Sequence, residues 1–387
     1  MLIKKVKILE FAPTADEIWQ IKKHKKDGYT DYNTQNGLVS LLDTTHEAKQ
    51  RPQIKAVYAG GKATNVARVI DRLLPDNIQA EIELVTFLPP PKATMRNLNF
   101  GNSGIVPSTP AGIYTQCLQI ENLTKIKPHF EVVDELTETS DMQTTRRCIE
   151  IVLEDAGTSL NFSPRMIWSI ESAKAVLSRL ASFIHEADMI IIAGAPPIWE
   201  SSDNLLTPHN FYAKILSLIR EDCQVSIDVR GYYLHDCLIA KKPPRFIFMN
   251  KDEFFEANDT WKELGGKALN CTLIVHNKEG CWVWDKKMPD GNNIFNGSIF
   301  FPAPKIEKVY STIGAGDAMH AGFLREWIYS QGEADQIKRS VVYSQAVSAI
   351  SVSNELATYG IDTKAVDDMI NSMGMEIDHG KQAFSRR

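Results

Sequence analysis

Ser311-Thr312-Ile313-Gly314-Ala315-Gly316-Asp317-Ala318-Met319-His320-Ala321-Gly322-Phe323 is the most informative stretch of this 387-residue chain. Downstream of Gly316, the apolar residues Ala321, Leu324 and Ile328 share one helical face, so Gly314-Ala315-Gly316 marks the point where a loop enters a helix. Free amides at such an entrance point outward with the positive end of the helix dipole, and small residues let a phosphate come close. Gly314, Ala315 and Gly316 therefore read as an anion hole. Asp317, in the first turn, reads as a base that takes a proton from a hydroxyl attacking beside it. A helix entrance merely capped by an aspartate has the same appearance. A dinucleotide-binding G-x-G-x-x-G fits less well, because its sixth position is Met319 and the motif lies near the C-terminus.

Upstream, short apolar runs suited to buried parallel strands alternate with amphipathic stretches. Strands are expected at 189–193, 225–227, 246–249 and 273–275, and helices at 173–185, 211–220 and 232–240. This is an α/β pattern, assembled as a doubly wound sheet with ligands at the carboxyl ends of its strands. Two more polar regions, about 17–55 and 111–161, break the rhythm. Within the second, 148–153 and 158–162 form a hairpin around the turn 154–157, a candidate cover for a site. Residues 89–104 read as a long loop and the last dozen as a frayed tail.

Two further segments carry chemistry. Tyr58-Ala59-Gly60-Gly61-Lys62-Ala63-Thr64-Asn65 is not a Walker phosphate loop, which needs Gly at Ala56 and Ser or Thr at Ala63. What remains is a Gly60-Gly61 turn that lets backbone meet ligand, with Lys62 and Asn65 at a helix start able to grip hydroxyl or phosphate oxygens. A solvated lysine and a capping asparagine read equally well. Asn250-Lys251-Asp252-Glu253 follows a strand, and Asn250 and Glu253 share one side of a first helical turn, where they can organise a hydrated Mg²⁺ beside a triphosphate. A charged helix start has the same signature.

Composition sets outer limits. Forty-three Lys plus Arg against forty-eight Asp plus Glu give a formal charge of −5, so no global field draws the chain to nucleic acid or to anionic lipid. The six cysteines show no metal spacing and no secreted framework, and no apolar run is long enough to span a membrane. A cytoplasmic protein is expected.

Together the three segments resemble the PfkB or ribokinase family of carbohydrate kinases. GGKATNVARVI looks like the family's N-terminal signature, STIGAGDAMHAGF like its C-terminal one and Asn250-x-x-Glu253 like its N-x-x-E motif, in the family's order and over roughly residues 6 to 365. NVARV and Ala12-Pro13-Thr14-Ala15-Asp16 look most like the branch of 1-phosphofructokinases and tagatose-6-phosphate kinases, as do Thr145-Arg146 and Thr158-x-x-Asn161. Several positions depart from the pattern. Ala63 and Ala12 stand where Gly and Asn are usual, and Ser311 replaces an Asp or Asn, which puts a monovalent-cation site in doubt. The loop usually written G-S-L-P-P-G is here 194–199. The G-x-x-G turn begins with Asn277, expected to take a positive φ, and ends at Gly280.

The resemblance implies a ribokinase-like three-layer αβα sandwich with a central, mostly parallel sheet and a small β-rich lid. Residues 1–370 would be one kinase domain, with lid segments at about 11–55 and 111–162 and a tail at 371–387. It implies ATP-dependent phosphorylation of a sugar or sugar phosphate. Asp317 would be the base and Gly314 to Gly316 the anion hole. Asp16, Gly60, Gly61, Lys62, Asn65 and Arg146 would hold substrate, and Asn250, Glu253, Asn277 and Gly280 ATP and Mg²⁺. Glu253, through water, and Asp228 are the metal candidates. Pairing into a homodimer through the lid is also expected.

Overall fold

A computed structural model describes residues 3–21, 53–90, 98–99, 105–106, 110–136, 145–153, 158–200, 205–264, 270–286, 289, 297–333, 335–354 and 357–373. In chain order its strands are β1 (Lys5–Glu10), β2 (Thr14–Ile21), β3 (Gln53–Gly60), β4 (Glu81–Leu88), β5 (Leu98–Asn99), β6 (Ile105–Val106), β7 (Ile126–Val132), β8 (Arg146–Leu153), β9 (Thr158–Phe162), β10 (Met189–Ala193), β11 (Gln224–Asp228), β12 (Phe246–Asn250), β13 (Thr272–Asn277), β14 (Gly280–Asp285) and β15 (Ile299–Pro302). The helices are α1 (Lys62–Leu73), α2 (Pro110–Glu121), α3 (Ile170–Phe183), α4 (Phe211–Leu218), α5 (Gly231–Ile239), α6 (Lys251–Glu256), α7 (Asn258–Leu264), α8 (Ala315–Tyr329), α9 (Gln336–Val352) and α10 (Thr363–Ser372).

The apolar runs dictate the layers. Side chains alternate across a strand, so a run such as MIIIA at Met189–Ala193 is stable only when both faces of the sheet are covered. Ile8, Leu84, Ile191, Phe248 and Ile274 face one side, where they meet α1, α8, α9 and α10. Their neighbours Leu9, Val85, Ile192, Met249 and Val275 face the other, against α3 to α7. The sheet runs β15-β14-β13-β12-β11-β10-β1-β4-β7, parallel from β7 to β13 and antiparallel over β14 and β15. This is the expected three-layer αβα sandwich.

A second, four-stranded sheet runs β3-β2-β8-β9, with β2 and β8 parallel and the other pairs antiparallel. The expected hairpin is β8 with β9, while its turn lies outside the described residues. The expected lid boundaries need correction. Of 111–162, only β8 and β9 belong to the small sheet. Helix α2 buries Tyr114 and Leu118 in the core beside α1, and β7 extends the large sheet by pairing with β4 from Ile126 to Val132. Likewise 11–55 contributes β2 and part of β3, and 22–52 lies outside the described residues. The loop expected at 89–104 contains β5, which pairs with β6. Helix α10 runs to Ser372, past the expected start of the tail at 371, and residues 374–387 lie outside the described residues. Among the described residues no helix is long and apolar enough to cross a membrane.

Candidate active site

A cleft of about 890 Å³ opens between the small sheet and the carboxyl ends of the large sheet's strands. Asp228 ends β11, Asn250 ends β12 and Asn277 ends β13, so the parallel sheet delivers one polar residue after another to its rim. Every residue given a base, anion-hole, substrate, ATP or metal role from the sequence lines this cleft except Gly60, which stands behind it. A Cβ at Gly60 would fall 1.9 Å from Asp16 Oδ2, so a glycine is what lets the Asp16 carboxylate sit there.

Helix α8 begins after Gly314, whose φ of 76° is the left-handed conformation that glycine adopts without strain. Gly314 brings no capping side chain, and Asp317 does not supply one either. The Asp317 carboxylate accepts instead from Asn65 Nδ2, at 2.8 Å to Oδ2, and is 5% exposed. Burial pushes its pKa up to about 6, against the lowering influence of Lys62 and the Asn65 hydrogen bond, while Asp228 adds to the rise. The geometry therefore departs from the capping alternative. The carboxylate faces the cleft, and its pKa lies nearer neutrality than that of a surface aspartate.

The Lys62 ammonium pairs with Asp228 at 3.1 and 3.3 Å, with 43% of the side chain open to the cleft. Burial pulls the lysine pKa down, but Asp228, Asp317 and Glu253 outweigh it and hold the ammonium charged. Burial also works against Asp228, yet Lys62 keeps its carboxyl below the ordinary range. Behind them Gly61, at φ 110°, starts α1 over the buried Glu10. Glu10 Oε2 accepts from Thr64 N and Oγ1 at 2.8 and 2.9 Å and Oε1 from Ala12 N at 2.9 Å; burial still pushes its pKa up to about 7.

Asn65 Nδ2 donates to Asp317 and its Oδ1 accepts from Arg68 Nη1 at 2.6 Å, so each end of the amide makes a contact within the protein, and the amide carries a second N–H as well. Asn250 and Glu253 form a capping box: Asn250 Oδ1 accepts from Glu253 N at 2.9 Å, and Glu253 Oε2 accepts from Asn250 N at 3.0 Å. Burial raises the Glu253 pKa, opposed by Lys62. Asn277 does not take the expected positive φ. Its side chain accepts from Glu279 N at 2.9 Å, and the positive φ of 146° falls on Gly280, where a Cβ would meet Phe301 O at 2.2 Å. Ser311 Oγ accepts from Ile313 N at 3.1 Å, bracing the turn before Gly314.

At the small-sheet end, Arg146 Nη1 donates to Pro164 O at 3.0 Å, but its Nε is buried without a partner. Asp16 Oδ1 and the hydroxyls of Thr14 and Thr145 are in the same condition. Buried polar atoms are normally paired, so this cluster marks where a polar ligand would be received. Sequence reasoning missed Thr14 and His276, which also line the cleft. His276 could have been found, since it precedes Asn277 at the end of β13; its edge lies near Gly316, and burial holds its pKa down at about 4. The cleft also has apolar lining, with Ile306, Val309, Ala349 and Val352.

A sequence profile described as the pfkB family carbohydrate kinase matches residues 134–364, which include the Asn250-x-x-Glu253 and Gly314 to Asp317 segments. The chain belongs to the pfkB family. This pfkB kinase is an ATP-dependent carbohydrate kinase, and its fold is shared with solved structures. Phosphofructokinase-2 from Escherichia coli, in complex with substrates and products, matches with a TM-score of 0.60 at 14% identity, covering 95% of this chain and 99% of that one. A protein from Thermotoga maritima described as a possible 1-phosphofructokinase gives 0.60 at 14%, covering 95% and 98%. Ribokinase from Thermotoga maritima gives 0.55 at 14%, covering 96% and 100%. At these identities the likeness is one of fold. No curated protein matches this pfkB kinase by sequence.

Proposed function

We propose that this kinase transfers the terminal phosphoryl group of ATP to a hydroxyl of a sugar phosphate, a ketohexose phosphate such as fructose 1-phosphate or tagatose 6-phosphate, with Asp317 as general base. The observation that carries the reading is the Asp317 carboxylate. It is buried, held by Asn65, raised to about 6 and directed into the cleft beside the Gly314 to Gly316 amides. A base with a pKa just under the working pH is ionised, yet still takes a proton readily.

The sugar-phosphate class is supported by the orphaned Arg146 Nε and the unpaired Thr14 hydroxyl, both on residues that line the cleft. A guanidinium with donors to spare suits phosphate oxygens, and a hydroxyl beside it adds a further partner. Asp16, with its unpaired Oδ1, takes the sugar hydroxyls. The phosphofructokinases among the structural neighbours favour the same class. The apolar lining at Val309, Ala349 and Val352 suits the adenine of ATP. Pairing of two copies through the small sheet is part of the proposal, supported by the place of β9 at the end of the strand order among the described residues.

Among the described residues no three His, Cys, Asp or Glu side chains converge into a metal cage. The donor set nevertheless fits Mg²⁺, which keeps several waters and binds through one or two carboxylates plus substrate phosphates. Asp228 and Glu253 both line the cleft, and the capping box engages only Oε2 of Glu253. These two residues would hold the hydrated ion, which when bound offsets the charge gathering on the phosphate oxygens. Lys62 then balances the two carboxylates and steadies the cleft for a polyanion.

ATP consumption measured over a panel of phosphorylated and free sugars and nucleosides tests the proposal. Sugar phosphates should turn over fastest, and Arg146→Ala should raise their KM roughly 10- to 150-fold, from about 1.5 to 3 kcal/mol of charged hydrogen bonding, while the KM for ATP stays. Faster turnover of a free sugar or nucleoside overturns the substrate class. No turnover of any of them points to a non-catalytic binding protein.

A further inference from the structure

Behind Asp317 lies a chain of buried polar contacts that the proposed mechanism does not use. Arg68, on α1, has no exposed surface. Its Nε donates to Glu121 Oε1 at 2.5 Å and its Nη2 to Glu121 Oε2 at 3.0 Å, a two-point grip on the last residue of α2. Nη2 also donates to the Ala59 carbonyl, and the guanidinium lies 5.3 Å from the centre of the Tyr58 ring. The remaining nitrogen, Nη1, donates to Asn65 Oδ1 at 2.6 Å, and Asn65 Nδ2 donates to Asp317 Oδ2 at 2.8 Å.

The chemistry of the groups fixes the direction of this chain. A guanidinium has only donors, so it demands the oxygen end of the Asn65 amide; an ionised carboxylate has only acceptors, so it demands the nitrogen end. The two demands agree. Glu121 holds the planar fork of Arg68 in one orientation, which a point-charge donor in its place would not share. We propose that Arg68 is a positioning residue for phosphoryl transfer: braced by Glu121, it locks the Asn65 amide so that Nδ2 binds one oxygen of Asp317 and leaves the other for the substrate hydroxyl. The proposal rests on the reading of Asp317 as the base.

Asp317 is faced by Asn65 and Lys62 from α1, by Asp228 from β11 and by Asp16 from β2. The first pair favours its charged form, whereas burial and the two aspartates oppose it. If the amide is free to turn, Asp317 loses a donor and gains an acceptor dipole, and its proton affinity rises.

Arg68→Lys keeps the charge and loses the fork. Arg68→Met/Glu121→Met replaces the buried ion pair with apolar residues of similar bulk, guarding against a misfolded single variant. Two readouts are taken: the pH titration of the Asp317 carboxyl carbon by NMR, and the acid limb of kcat/KM. In both variants the Asp317 midpoint should rise by about one to two pH units, the worth of one charged hydrogen bond, and the acid limb should follow with KM values little changed. In an Asn65→Ala background, Arg68→Lys should add nothing. An unmoved Asp317 midpoint in both variants, or an equal further shift when Asn65 is absent, overturns the positioning role. The carboxyl titration is read without turnover, so it judges the chain of contacts even if Asp317→Asn proves active and the base reading fails.

Discussion

Glu253→Gln separates the capping role of one side chain from the metal-steadying role proposed for it. In the capping box, Glu253 Oε2 accepts from Asn250 N at 3.0 Å while Asn250 Oδ1 accepts from Glu253 N at 2.9 Å. A glutamine carbonyl accepts the same bond, so the box survives, and stability should stay within about 0.5 kcal/mol of the parent. The charge facing the cleft is lost. If that carboxylate steadies hydrated Mg²⁺, the loss is of the order of a charged hydrogen bond, about 1.5 to 3 kcal/mol, or roughly 10- to 150-fold in the Mg²⁺ needed for half-maximal rate. Glu253→Ala should show the same Mg²⁺ effect and lose about 1 kcal/mol more by breaking the box. Initial rates against free Mg²⁺ at fixed ATP, with thermal melting in parallel, measure both. An unchanged Mg²⁺ titration in Glu253→Gln, with only Glu253→Ala destabilised, would leave Glu253 a capping residue and nothing more.

Asp317 accepts a proton only when ionised, and its pKa is pushed up to about 6. The profile of kcat/KM should therefore be level above that value and fall tenfold per pH unit below it; a profile without this acid limb contradicts the assignment. Gly60→Ala should drive Asp16 from its place, since the new Cβ would fall 1.9 Å from Oδ2 and 2.4 Å from Thr14 Oγ1. The KM for the sugar substrate should rise at least tenfold with the KM for ATP unchanged, as expected for lost ground-state binding; an unchanged sugar KM would remove Asp16 from the substrate site.

Strands β10 to β13 could be read from the sequence because both of their faces are buried, which leaves continuous apolar runs. Other elements of the large sheet were hidden for physical reasons. In β1, Lys7 interrupts the run yet is buried, because it stands opposite Glu83 and pairs with it at 2.7 Å. As an edge strand, β7 keeps Pro128, His129 and Glu131 only half-buried, so its pattern is that of a loop. Helix α2 buries only Tyr114 and Leu118, a stripe too narrow to stand out. The candidate site was legible where its geometry is set by local backbone, as at Gly314 to Asp317. It was not legible where partners come from afar: Asn65 meets Asp317 across 252 positions and Arg68 meets Glu121 across 53. Sequence spacing cannot reveal that these four residues form one chain of contacts.

Asp317→Asn tests the central claim most directly. The substitution keeps the shape of the side chain but removes its ability to accept a proton. A helix-capping role would tolerate it, because Asn caps about as well as Asp. General-base assistance is typically worth about 10² to 10⁴ in rate, so kcat should fall by roughly that factor while ATP and sugar still bind. A folded Asp317→Asn protein, verified by its melting curve, that turns over at a near-normal rate would contradict the account.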